Sequence, residues 1–165
     1  MSTHQKQVSI LRPCLRIIGT TELPGTEIQQ KILIADSDVT ETARLKQFLQ
    51  NHHYECILVN EVLTAVRQTV LQKPALLLIN LGISGNNGLL IIHKLKYIPS
   101  AVNAVIIITG EGDSLIDMPQ AMKMGAGVFL KKPLRNDEVL MAIQNGISGR
   151  QTKQISHLNR ESSAA

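Results

Sequence analysis

The sequence predicts an α/β fold: a parallel sheet of five buried strands with helices on both faces. Two observations carry this. From Lys31 onward, short apolar runs alternate with segments whose apolar residues recur at helical spacing. The runs are nearly continuous rather than alternating, as strands buried on both faces require. Right-handed crossovers then distribute the helices over the two sides. The composition agrees, since 44% of the 165 residues are hydrophobic and 18% charged. Aromatics are only 2%, so the core must be built from aliphatic side chains.

The strands are read at Ile32–Ala35, Cys56–Val59, Leu76–Ile79, Val105–Ile108 and Val128–Leu130. After the first strand, Asp38 or Thr40 can cap a helix carrying Leu45, Phe48 and Leu49 on one face. His52 and His53 close it. A second helix is predicted from Leu63, Val66 and Val70 at i, i+3 and i+7. The Gly85–Gly88 stretch makes a turn after the third strand, and a third helix carries His93. Pro119 fits the first turn of a helix and not its interior, so the fourth helix is predicted to be short and capped by Asp117 or Met118. Leu140, Ile143 and Ile147 define the last helix, capped by Asn136 or Asp137 and ending near Gly149. The domain therefore spans 31–148. Residues 1–30 form an N-terminal extension in which Val8–Ile18 could dock or add a strand. Residues 149–165 read as a flexible tail.

Several functional classes are excluded or made remote. The net charge is +4, but residues 31–147 contribute only one unit of it. A nucleic-acid accessory role is left to the basic tails: Arg12, Arg16, Arg150, Lys153 and Arg160. Cys14 and Cys56 form no framework and no metal motif. No apolar run reaches membrane-spanning length, and the expectation is a cytoplasmic protein. The glycine-containing stretch 82–88 lacks a Walker lysine. No catalytic triad is supported, so no enzyme is expected.

Open α/β sheets bind ligands beyond the carboxyl ends of their strands. Those ends place Asp36, Ser37, Asp38, Asn80, Gly82, Thr109 and Lys132 near one another, together with Pro133.

KILIADSD (31–38), PALLLINLGISGNNG (74–88), IIITG (106–110) and GAGVFLKKPL (125–134) stand in order over more than 110 residues. Together they resemble the receiver domain of response regulators in two-component signalling. The resemblance implies a flavodoxin-like sheet in the order 2-1-3-4-5. It also implies a pocket in which an acid pair and a phospho-accepting Asp hold Mg²⁺. Here the acid pair reads Asp36-Ser37, and the acceptor position is Asn80. Gly82, Thr109 and Lys132 match the family pattern. Phe129 stands at the aromatic switch position.

An amide has no anionic oxygen with which to attack phosphorus. One carboxylate, Asp36, is a poor beginning for a Mg²⁺ site, so weak or no Mg²⁺ binding is expected. Asp38 is the obvious substitute, but the start of the helix aims it elsewhere. The sequence instead predicts an Asp36–Lys132 ion pair with Asn80 and Thr109 hydrogen-bonded around it.

The resulting expectation is a stand-alone pseudo-receiver that signals by phosphorylation-independent protein contact. The 18 residues after Ile147 are too few for an output domain, so docking is the expected output. The partner face would be built from residues 114–147, including Pro119, Phe129 and Pro133. A histidine kinase, another regulator or a second copy on the face of the fourth helix, fifth strand and fifth helix are the expected partners. The alternative is a working phospho-receiver that uses Ser37 or Thr109 as its acceptor.

Overall fold

The structure, a computed structural model, describes residues 29–162 apart from 100, 102 and 113–116. The N-terminal extension and its Val8–Ile18 segment thus lie outside the described residues up to residue 28.

Five parallel strands form one sheet in the order β2-β1-β3-β4-β5. They are β1 (Lys31–Ala35), β2 (Glu55–Val59), β3 (Leu76–Asn80), β4 (Val105–Gly110) and β5 (Val128–Lys131). All five predicted runs are strands, each extended by a residue or two, but only β1, β3 and β4 are largely buried; β2 and β5, expected to be buried as well, are edge strands and partly exposed. The helices are α1 (Val39–Asn51), α2 (Val62–Gln72), α3 (Gly88–Leu95), α4 (Met118–Lys123) and α5 (Asn136–Ser162). A single helical turn, Ile83–Asn86, precedes α3, with Ser84 and Gly85 in the left-handed region.

The central strands are apolar on both sides, as continuous hydrophobic runs demand. On one face, Leu33, Leu77, Ile79 and Ile108 meet α2, α3 and α4 through Ala65, Ile91 and Ala121. On the other, Ile32, Ile34, Leu78 and Ile107 meet α1 and α5 through Leu45, Leu49 and Ile143. Gly146 lets α5 lie close on the sheet: a Cβ there would fall 2.7 Å from Val105 Cγ1.

Local chemistry sets the helix ends. Asp38 caps α1, its carboxylate accepting from the Glu41 N–H at 2.9 Å. Asp117 precedes α4, whose first turn holds Pro119 as expected.

Three expectations need correction. The buried stripe of α2 is Val62, Ala65 and Thr69, whereas Leu63 is 71% exposed and Val70 is 41% exposed. Apolar spacing alone could not tell these two stripes apart, because α2 is apolar on more than one side. Neither Asn136 nor Asp137 stands at the cap position of α5. Instead the Arg135 carbonyl accepts the Val139 N–H. Finally, α5 does not end near Gly149 but continues to Ser162, so residues 149–162 extend the helix rather than leave it as a tail. That stretch has no proline and one glycine, and most of its residues are tolerant of helix.

Candidate functional site

The carboxyl ends of β1, β3, β4 and β5 converge because the sheet is parallel and in register. Asn80 lies opposite Thr109 across the β3–β4 pair. Thr109 lies beside Leu130 across β4–β5, which brings Lys132 to the same edge.

Lys132 is the centre of the site. Its ammonium lies 2.6 Å from Asp36 Oδ2 and 2.7 Å from Glu41 Oε2. The side chains of Lys132 and Asp36 are 8% and 6% exposed, and that of Glu41 is 13% exposed. Burial alone would lower the lysine pKa. The hydrogen bonds and charges of Asp36 and Glu41 outweigh it and hold the pKa above the ordinary lysine value.

Asn80 is the second organiser. Its amide nitrogen donates to Asp36 Oδ1 at 2.9 Å, and its amide oxygen accepts from the Gly82 N–H at 2.9 Å. The Asp38 N–H also donates to Asp36 Oδ1, at 3.0 Å. Both Asp36 oxygens are therefore taken by donors.

The predicted Asp36–Lys132 pair is present, and Asn80 supports it. Thr109, expected to share in this bonding, joins through its backbone: its carbonyl accepts the Leu81 N–H at 2.9 Å, and its side chain is buried. Ser37 is exposed beside the cluster. The Asp38 carboxylate caps α1, accepting from the Glu41 N–H, and makes no ion pair with Lys132. Phe129 is half-buried against the α2–α4 side of the core. Pro119 and Pro133 are exposed.

The reading of the sequence missed Glu41. It lies one turn into α1, five residues beyond Asp36, outside any motif. The only available signal was an acid in the first turn of the helix that follows the acid-bearing strand.

Glu41 does more than neutralise charge. Its second oxygen accepts from the Leu134 N–H at 3.3 Å. One turn later, Arg44 donates to the Leu134 carbonyl at 2.9 Å and to Asn136 Oδ1. Two side chains of α1 thus grip the loop between β5 and α5. A cleft of about 360 Å³ opens beside them, lined by Asp38, Glu41, Glu111, Lys132 and Pro133.

A Mg²⁺ ion takes several oxygen ligands, usually including one or two carboxylates. Asp36 already accepts from Lys132, the Asn80 amide and the Asp38 N–H, and Glu41 from Lys132 and the Leu134 N–H. Among the described residues, no group of three or more His, Cys, Asp or Glu side chains could hold a metal.

A doubly wound five-stranded sheet, with an acid, an amide, a hydroxyl and a lysine at its carboxyl edge, defines a receiver-type signalling domain. The model of the response regulator receiver domain matches residues 32–144, and the chain belongs to that family, a domain of two-component signalling. It is 29% identical over 118 residues to sporulation initiation phosphotransferase F of Bacillus subtilis, covering 71% of this chain and 93% of that one. It is 26% identical over 114 residues to the sensory transduction protein BceR of Halalkalibacterium halodurans, covering 69% of this chain. The match spans about half, 48%, of that longer relative.

Solved structures share the fold. A CheY-like receiver domain protein from Methanospirillum hungatei superposes with a TM-score of 0.70 at 20% identity, over 76% of this chain and 98% of that one. A receiver domain protein from Clostridium thermocellum gives 0.69 at 22% identity, over 74% and 98%. Receiver domains generally work with histidine kinases or other proteins. Among the described residues no helix is long and apolar enough to cross a membrane.

Proposed function

We propose that this receiver acts as a pseudo-receiver: a regulatory protein that works by protein contact, without phosphorylation and without Mg²⁺. One observation carries the reading. The Lys132 ammonium bridges Asp36 and Glu41 at 2.6 and 2.7 Å while the Asn80 amide donates to Asp36. In a phospho-receiver that lysine meets a phosphoryl group. Here its charge is already answered inside the protein.

The neutral Asn80 side chain supports the same conclusion, since it supplies no anionic nucleophile. The alternative acceptors are weaker. Thr109 is 1% exposed, so its hydroxyl is out of reach of a phosphodonor. Ser37 is accessible, but no described base lies within hydrogen-bonding reach of it to activate it. The protein has no catalytic chemistry of its own on this reading. Its output is the docking of a histidine kinase, another regulator or a second copy.

Intact mass spectrometry after incubation with Mg²⁺ and acetyl phosphate tests the proposal, beside a competent receiver as control. The expected result is an unmodified mass. A phosphoryl adduct on this chain would overturn the reading, and mapping it would identify the acceptor.

A further inference from the structure

Charge is segregated along this domain. From Val62 to Ala104 the chain carries Arg67, Lys73, Lys94 and Lys96 and no Asp or Glu. The rest of the span 31–147 holds all ten of its acids and seven basic residues. The acid-free stretch contains α2 and α3, which pack side by side over one face of the sheet. The ion pairs found among the described residues leave all four of these cations without a carboxylate.

The same two helices expose apolar side chains. On α2, Leu63, Val70 and Leu71 are 71%, 41% and 60% exposed, at i, i+7 and i+8. Beside them, Leu90 of α3 and Tyr97 just beyond it are 42% and 71% exposed, at i and i+7. Both helices follow parallel strands, return over the same face and pack against each other. Apolar side chains grouped in this way mark interaction surfaces. The Tyr97 ring rests against His93 with centroids 5.4 Å apart, which orients an aromatic anchor at one end.

We infer that the α2–α3 face is a docking site for an acidic amphipathic helix of a partner protein. Two adjacent helices, each exposing apolar side chains at helical spacing, offer the contacts that an amphipathic helix uses. Its apolar side would cover Leu63, Val70, Leu71, Leu90 and Tyr97. Its carboxylates would meet Arg67, Lys73, Lys94 and Lys96. A second copy is a poor occupant, because a twofold pairing of this face would set these cations against themselves. This surface is separate from the Asn80 pocket, and the inference stands whether or not Asn80 or its neighbours accept phosphate.

The test is fluorescence anisotropy of the full chain, without phosphodonor, against a dye-labelled helical peptide with Leu on one face and Glu on the other. Saturable binding is expected, and a peptide with Lys in place of Glu should not bind. The pairs Leu63→Ser with Leu71→Ser, and Arg67→Glu with Lys94→Glu, should each weaken binding about tenfold or more. Met141→Ser, on an exposed position of α5, should leave it unchanged. All these positions are solvent-exposed or partly so, and circular dichroism confirms that each variant is folded. Amide chemical-shift changes in the unsubstituted chain should fall on α2 and α3. Absence of binding, binding indifferent to the paired substitutions, or shifts on another face would each overturn the inference. So would binding to phosphatidylglycerol vesicles with no response to the acidic peptide, which would assign the face to a lipid surface.

Discussion

Replacing Lys132 with Ala should cost this domain a large part of its stability. Two carboxylates, Asp36 and Glu41, lie 2.6 and 2.7 Å from its ammonium in a site that is roughly nine-tenths buried. At an effective dielectric near 20, each contact is worth about 6 kcal/mol before desolvation is counted. Desolvation of three charges and the repulsion between the two acids take back most of that. Removal of the cation leaves both acids buried and unanswered, a situation that costs about 3–5 kcal/mol. For a domain of this size that corresponds to a fall in Tm of roughly 10–20 °C. Urea and thermal unfolding followed by circular dichroism measure it directly.

The same site predicts a pH dependence. The folded-state pKa of Lys132 is raised above its unfolded value by its partners. Its contribution is therefore full below about pH 10, the ordinary lysine range, and is lost as pH rises through the folded-state pKa. Adding Asp36→Asn and Glu41→Gln to the Lys132→Ala chain should recover much of the loss, because no uncompensated charge remains. A Lys132→Ala variant that loses less than about 1 kcal/mol would refute the reasoning, since the triad would then be solvated.

Other predictions follow from separate features. Gly88→Ala should destabilise the domain by about 1–3 kcal/mol in thermal unfolding, because the added Cβ would lie 2.5 Å from Asn80 O and Leu81 Cα. Asn80→Asp should be less stable than the parent at pH 7, since it replaces the donor to Asp36 with a second carboxylate. Unlike the parent, it should gain Tm on addition of Mg²⁺ in differential scanning fluorimetry. Burial pushes the Cys56 thiol up to about 11, with Lys46 offsetting part of the shift. At pH 8 it should alkylate about 100-fold more slowly than an unperturbed thiol, measured by iodoacetamide labelling and peptide mapping.

The strands were legible because each is a near-continuous aliphatic run, although only the three central strands are buried on both faces and the edge strands β2 and β5 leave Leu58 and Val128 exposed. The Asp36–Lys132 pair was legible because strand ends of a parallel sheet converge and the two residues stand just beyond the ends of β1 and β5. Glu41 was not, since its reach to Lys132 depends on how α1 packs beside the β5–α5 loop, which no local pattern encodes. The buried face of α2 was misjudged for a related reason. Leu63 and Val70 are apolar yet exposed, and only the position of the sheet decides that Val62, Ala65 and Thr69 face inward. Gly149 read as the end of α5, yet the helix runs on to Ser162, and Gly146 within it lets the helix approach Val105.

On the proposed reading, Asp36 and Glu41 answer the Lys132 charge at the sheet edge, where a phospho-receiver would use a phosphoryl group. The most direct test of that reading is the amide spectrum of the ¹⁵N-labelled chain, recorded before and after addition of Mg²⁺ and beryllofluoride, a phosphoryl mimic. The resonances of Asp36, Asn80, Gly82 and Thr109 should stay where they are. Saturable shifts at those residues would contradict the account, because they would show a site still able to take the metal and the phosphoryl mimic.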